Sequence, residues 1–424
     1  MKICMIGKFP PIQGGVSTQT YQAAHELSRR GHKVNIVTNA DEVEIGFRQY
    51  FRKEDYAKRG NELIKVHSTS SLNNKRFVPY ANPYTSKLFG LATSVIEEFG
   101  CDIVIGWYLE PYGFVAGLVG LMTNTPVIIR HAGSDIGRLG QHRDLKHAYR
   151  VVLNRANTIV TNSNLVDYLV LMGARREVIE LGRISKLTPE FRKKTNSLNV
   201  QEFNAVTPEW IRGCIDDKKV ADDLAAINLK PWKDHPVIGI YGKVGNVKGN
   251  YDLVKALEIL TRSGVQFNFI QIPCGTAASL KDYFISLLRN EALLSSTWII
   301  PPLPPWRVPE FLSLCNITCF LERTFPITFH APQVPREILA SGSCLVVSEE
   351  ITEKSVLKEN LIDGKNCVIV PDPRDTKSLV STLEKLISSP GLRRDLGTHG
   401  KYLSQAFEQE LPDNYFADIV ESCK

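Results

Sequence analysis

Short runs of apolar residues, bounded by glycine and proline, alternate along this chain with longer stretches whose apolar residues recur every three or four positions. Lys2–Ile6 is the first run. The loop Phe9-Pro10-Pro11-Ile12-Gln13-Gly14-Gly15 follows, then an amphipathic helix from Val16 to Arg30, closed by Gly31, and a second strand at Lys33–Thr38. Further strands are expected at Asp102–Gly106, Pro126–Arg130 and Thr158–Thr161, with helical pattern between them. Strands that alternate with helices of this length imply a parallel sheet covered on both faces.

From about Leu187 to His235 the texture changes. The segment is polar and charged, carries Pro189, Pro208 and Pro231, and reads as a linker with one or two helices, one of them near Val220–Ile227. The alternation then restarts, with strands expected at Val237–Tyr241, Phe267–Ile272, Trp298–Ile300, Ile317–Phe320, Cys344–Val347 and Cys367–Val370. Helices at Asp375–Ser388 and Gly391–Phe407 close the pattern. The expected organisation is a first Rossmann-like domain over 1–186, a linker or helical insertion over 187–235, a second Rossmann-like domain over 236–405, and a helical tail over 406–424. In open parallel sheets ligands bind beyond the carboxyl ends of the strands, so two such sheets facing one another would make one cleft.

Composition narrows the picture. At 424 residues, with 43% hydrophobic and 23% charged content, the chain suits two globular domains. Its formal charge of +6 is too mild for the basic stripe of a nucleic-acid binder, yet compatible with an anionic substrate or an acidic membrane surface. Nine scattered cysteines, an odd number, point to a reducing cytosol and not to a disulfide framework. The N-terminus lacks the features of a signal peptide, and no Cys/His cluster has zinc spacing.

Three constellations carry chemistry. Gly14-Gly15-Val16 lies between the first strand and the first helix, where the pair is either a simple tight turn or a place where backbone approaches a phosphate or sugar and a helix end offers free N–H groups. Tyr241-Gly242-Lys243-Val244-Gly245-Asn246-Val247-Lys248-Gly249 follows the first strand of the second half, and its two lysines either grip a diphosphate or stand solvated on a loop. Pro335-Arg336-Glu337-Ile338-Leu339-Ala340-Ser341-Gly342 reads as a short helix with a carboxylate in its first turn, where it either complements the dipole or accepts hydrogen bonds from ribose. Trp107, Tyr108 and Glu110 follow another strand and offer stacking rings and a carboxylate for an acceptor, or simple rim packing. A dinucleotide oxidoreductase is disfavoured, because no Gly-x-Gly-x-x-Gly follows the first strand.

These motifs resemble the retaining glycosyltransferases of family 4. The resemblance rests on Pro10-Pro11-Ile12-Gln13-Gly14-Gly15-Val16, Arg30-Gly31-His32-Lys33-Val34, Asn157–Ser163, Gly242-Lys243 with Lys248-Gly249, Glu337–Gly342 and Asp363–Pro371, in the family's order. It implies an α/β chain of the GT-B architecture: two facing Rossmann-like domains with parallel sheets and an interdomain cleft, the tail returning to the first domain. It implies Lys243, Lys248 and His131 as the catalytic set. Donor contacts would come from Gly14, Gly15, Val16, His330, Arg336, Glu337, Ile338 and Leu339, with an acceptor side at Trp107, Tyr108 and Glu110. The implied donor is a nucleoside diphosphate sugar and the implied acceptor a saccharide or lipid-linked glycan, with peripheral membrane contact in the latter case. No cofactor or metal is implied, the lysines standing where a metal would.

One departure stands out. The family's Glu-x7-Glu pattern would place its first carboxylate at Phe329; His330 is adjacent and is the expected substitute, while Glu322 lies fifteen positions before Glu337. The first basic position is lysine where arginine is commoner, a point charge in place of a planar fork. A catalytically silent nucleotide-sugar-binding protein and a GT-B nucleotide-sugar epimerase are the alternatives.

Overall fold

The computed structural model describes residues 1–71, 82–131, 133, 135–327, 331–413 and 415–423. They form two compact units: Met1–Val43 with Phe51–Lys186 and Leu411–Lys424, and Glu44–Tyr50 with Leu187–Glu410.

In the first unit seven strands make one sheet in the order β3-β2-β1-β4-β5-β6-β7. They are β1 (Lys2–Gly7), β2 (Lys33–Thr38), β3 (Ile64–Ser68), β4 (Ile103–Trp107), β5 (Val127–Arg130), β6 (Thr158–Thr161) and β7 (Ile179–Leu181). Every neighbouring pair is parallel. The interior strands are buried on both faces, which is why they read as apolar runs. The strand absent from the sequence reading, β3, and the short β7 are the sheet's edges. Their polar residues, as in Ile64-Lys65-Val66-His67-Ser68, face partial solvent and break the apolar signal.

The last helix of the chain, Tyr415–Ser422, completes this unit. Phe416 meets Trp107 edge-on, with ring centroids 4.9 Å apart. The backbone N–H of Ala417 donates to the buried Glu26 carboxylate at 2.9 Å. Arg30 pairs with Asp418 at 2.9 Å and with Glu421 at 2.7 Å. The first contact is apolar and enclosed; the last is half-exposed and screened.

The second unit repeats the design with six parallel strands in the order β10-β9-β8-β11-β12-β13. These are β8 (Val237–Lys243), β9 (Asn268–Cys274), β10 (Thr297–Ile299), β11 (Ile317–Phe320), β12 (Cys344–Ser348) and β13 (Val368–Val370). The segment read as a linker belongs to this unit's body. A helix at Val206–Cys214 buries Trp210, Ile211 and Cys214 on one face against the core, while Thr207 and Asn228 hydrogen-bond the Ile299 carbonyl at 3.0 and 2.7 Å. Residues Glu44–Tyr50 join it: Trp210 donates to the Ile45 carbonyl at 3.3 Å and Gly275 to that of Gly46 at 3.1 Å. Proline and charge gave 187–235 a linker's texture, whereas three well-spaced apolar residues suffice to seat a helix.

Phe416→Ala is expected to lower the unfolding free energy by about 3 kcal/mol, the scale of an aromatic deletion from a core. Arg30→Ala is expected to cost far less, as for a solvent-exposed, salt-screened pair. Urea denaturation of the two variants followed by tryptophan fluorescence checks the ranking.

Candidate functional site

In the second unit the carboxyl end of β8 sets the site. Gly242, at φ 119, turns the chain where a side chain would be strained. Lys243 follows it, exposed, with its ammonium 5.6 Å from the centroid of the Phe47 ring. Among the described residues Lys243 makes no ion pair. Gly249, at φ 74, opens the helix Asn250–Arg262, and a Cβ there would come within 2.3 Å of the Leu321 carbonyl oxygen. This close approach locks the β8 loop to the segment that leaves β11.

Lys248 sits inside that lock. Its Nζ donates to Glu322 Oε2 at 2.5 Å and lies 3.9 Å from the centroid of the Phe325 ring. The Glu322 side chain is only 1% exposed. Burial raises the Glu322 carboxyl above the usual range, more than the neighbouring Lys248 lowers it. Arg323 N–H donates to the Val247 carbonyl at 2.8 Å, and its guanidinium holds Asp252 through two bonds of 2.8 and 3.2 Å. The two lysines expected to act alike therefore differ: one is exposed, the other is tied to a buried carboxylate.

Glu337 stands in the first turn of the helix Val334–Ser341, as the sequence indicates. Tyr241 Oη donates to its Oε2 at 2.5 Å, so β8 orients this carboxylate directly. Burial raises the Glu337 carboxyl and the Tyr241 phenol alike. Arg336 turns the other way. It forms a buried ion pair with Glu408, which also accepts from Leu187 N–H at 2.8 Å, and its guanidinium lies 5.3 Å from the Phe407 ring centroid. The Ile338 and Leu339 side chains are fully buried in the core, which leaves no side-chain contact to a donor. His330 lies outside the described residues.

In the first unit the carboxyl ends of β1, β4 and β5 align Gly7, Trp107 and Arg130 in register. Gly14, at φ 130, precedes the helix Gly15–Arg29, whose end no side chain caps. A Cβ on Gly14 or Gly15 would meet nothing within 4 Å, so these glycines are not demanded by packing and leave their backbone approachable beside Val16. His131 is buried and hydrogen-bonds Thr161 Oγ1 through Nε2 at 2.5 Å. Burial, aided by Arg130, lowers its pKa to about 3, so the imidazole is neutral at ordinary pH.

The expected acceptor trio divides. Trp107 is 2% exposed, enclosed by Phe416 and by the Arg130 guanidinium at 5.0 Å; it is core, and its ring has no face free for a sugar. Tyr108 is half-buried at φ 84, with Lys8 Nζ 4.5 Å from its ring centroid. Glu110 is half-buried, accepts from Tyr149 Oη at 3.0 Å, and has its pKa raised by burial. The buried Asp135 holds the loop by accepting from Leu109 N–H at 2.6 Å. Sequence reasoning missed the roles of Asp135 and Tyr241 and the partner of Lys248. A polar residue just past an apolar strand, as Glu322 is, was the readable signal.

Among the described residues no group of acidic, histidine or cysteine side chains has the arrangement of a metal site.

Two sheets of this order, each with a glycine-bearing loop beyond its first strand, define the GT-B class, and the comparisons agree. HepE from Anabaena, solved with UDP-glucose, is 13% identical, covers 100% of both chains and superposes with a TM-score of 0.61. WaaG, a glycosyltransferase involved in lipopolysaccharide biosynthesis, is 12% identical over 100% of both chains, with a TM-score of 0.61. Sucrose-phosphate synthase from Thermosynechococcus elongatus is 14% identical over 99% of this chain and 96% of its own, with a TM-score of 0.59. Residues 13–181 match the model of Glycosyltransferase Family 4. No curated protein sequence gives a significant match.

Gly249→Ala is expected to cost more than about 2 kcal/mol, since it adds left-handed strain to a clash with backbone. Gly391→Ala, at an open helical position, is expected to be neutral or stabilising in the same chemical denaturation. His131 has a second, pH-dependent signature. The unfolded chain takes up its proton near pH 6.5 and the folded chain only near 3, so this group's stability is complete above 6.5 and is lost as pH falls towards 3. Between those limits wild type is expected to lose up to about 1.4 kcal/mol per pH unit relative to His131→Gln.

Proposed function

We propose that this chain is a glycosyltransferase that moves a sugar from a nucleoside diphosphate sugar to a saccharide or lipid-linked acceptor, with retention at the anomeric carbon. The observation that carries the reading is the end of β8. There Tyr241 fixes the Glu337 carboxylate and, two residues on, Lys243 offers an ammonium without an ion pair among the described residues. A carboxylate suited to vicinal hydroxyls and a cation suited to phosphate, on one strand end, match the two polar parts of a nucleoside diphosphate.

The chemistry follows from the charge that develops. As the bond between the anomeric carbon and the phosphate oxygen breaks, negative charge grows on the leaving diphosphate. Lys243, with N–H groups of the glycine-bearing loops, stabilises that charge more in the transition state than in the ground state. The acceptor hydroxyl forms its bond on the face the leaving group vacates, and the departing phosphate oxygen takes its proton. This gives retention without a covalent intermediate. His131, neutral, acts as a hydrogen-bonding group towards the donor sugar and not as an acid. Tyr108 and Glu110 form the acceptor side. In this reading no metal takes part, because the Lys243 ammonium supplies the charge. HepE was solved with UDP-glucose, so uracil is the first base to test.

Nine free cysteines suit a reducing cytosol, with peripheral membrane contact where the acceptor is lipid-linked. No helix among the described residues is long and apolar enough to cross a membrane.

A second reading is a nucleotide-sugar binder without turnover. It is favoured by Phe329 at the position of the expected carboxylate and by the pairing of Lys248 with Glu322.

Lys243→Ala is expected to weaken donor binding by about tenfold or more, the scale of one hydrogen bond to a charged group, with an unchanged melting temperature because the side chain is exposed. NMR of the product should show the donor's anomeric configuration, and EDTA should leave the rate unchanged. An inverted product refutes retention; donor bound but never transferred selects the second reading.

A further inference from the structure

We propose that Glu322 is an internal occupant of the phosphate place on Lys248, so that a diphosphate recruits this lysine only by drawing it away from the carboxylate. The inference rests on the donor-binding reading above and adds a residue that sets how strongly, and for which ligands, the site responds.

The argument is geometric. Glu322 leaves the carboxyl end of the strand β11, which pairs directly with β8, so both reach the sheet edge from adjacent positions. Its Oε2 takes the Lys248 ammonium at 2.5 Å, with the Phe325 ring against the other side of that ammonium at 3.9 Å. The charge of Lys248 is thus matched within the protein before any ligand arrives.

Glu322 itself has no room to retreat. Its carbonyl accepts from Ser348 Oγ at 2.5 Å, Arg323 N–H binds the Val247 carbonyl, and Leu321 lies against Gly249. The carboxylate is anchored by backbone on either side. The lysine is the mobile partner, with four methylenes and an 18% exposed side chain. A phosphate competes for it by charge and hydrogen bonding; an uncharged nucleoside has nothing to compete with. Lys243, without an ion pair among the described residues, meets the diphosphate first, and Lys248 joins at the expense of a buried pair.

The consequence is an asymmetry that two equivalent phosphate-binding lysines would not show. Removing the charge of Glu322 should strengthen diphosphate binding, and removing Lys243 should weaken it.

Isothermal titration of the full chain with UDP, GDP and ADP, and with the three parent nucleosides, tests this. Glu322→Gln is expected to bind the diphosphate preferred by wild type about tenfold more tightly, the scale of one charge-assisted hydrogen bond released for the ligand, with no gain for the nucleoside. Unchanged or weaker diphosphate binding by a folded Glu322→Gln overturns the inference while leaving the donor-binding reading intact. An equal gain for the nucleoside overturns it too, since the effect would not run through phosphate. If wild type binds none of the three diphosphates, the donor-binding reading falls and takes this inference with it. Should Glu322→Gln fail to fold, Glu322→Asp carries the test: the charge stays but is drawn back by one methylene, and a smaller gain in the same direction is expected. No gain in that variant overturns the proposal.

Discussion

Both sheets are parallel throughout, and this constraint organises the rest of the molecule. When every strand runs the same way, all carboxyl ends collect along one edge, and each chain segment must leave that edge through a loop before a helix carries it back. Loops that emerge side by side there compete for space. Gly249 has no side chain because the Leu321 carbonyl already occupies that volume. Gly242 turns the chain where Lys243 must project. The same edge brings Tyr241, from β8, to Glu337, which lies 96 residues further along the chain. Chemistry concentrates at this edge because topology delivers polar residues there.

Charge is distributed unequally over these loops. Lys243 is exposed and Lys248 is matched by a buried carboxylate; Arg336 is spent on Glu408, inside the body of the second unit. A buried pair contributes little net stability, yet breaking it by removing one partner is costly, so such pairs act as positional constraints. The Arg336–Glu408 pair fixes the helix Pro390–Glu410 and the chain at Leu187 together, through the second oxygen of Glu408. In the first unit the opposite strategy holds. His131 is kept neutral by burial and bonded to Thr161, which makes it a dipolar group in an apolar setting.

Much of this was legible in the sequence because the physics is local. Interior strands announce themselves by unbroken apolar runs, and β2, β6 and β11 lie where the pattern puts them. Glu337 and the glycine loops were readable because their places relative to a strand end and a helix start are short-range facts. What stayed hidden depends on contacts between distant segments. Trp107 looks like an exposed platform until Phe416 covers it. Tyr241 reads as one more apolar strand residue until the Glu337 carboxylate lies across from its hydroxyl. The segment 187–235 carries a linker's composition, and only the buried faces of Phe203, Trp210 and Ile211 reveal that it belongs to the second unit. Arg336 was misplaced for the same reason, its partner being far along the chain.

The return of Tyr415–Ser422 to the first unit has a consequence for how the protein is made. Ribosomal synthesis finishes the seven strands of the first sheet long before the residues that cover Trp107 and satisfy Glu26 exist. Apart from Glu44–Tyr50, the second unit is translated in the interval. During that time the nascent first unit presents an uncovered tryptophan and an unpaired acidic side chain, the kind of surface that chaperones bind and proteases find. Synthesis of Tyr415–Ser422, at translation rates of roughly 5–20 residues per second, is therefore the event that closes the first unit.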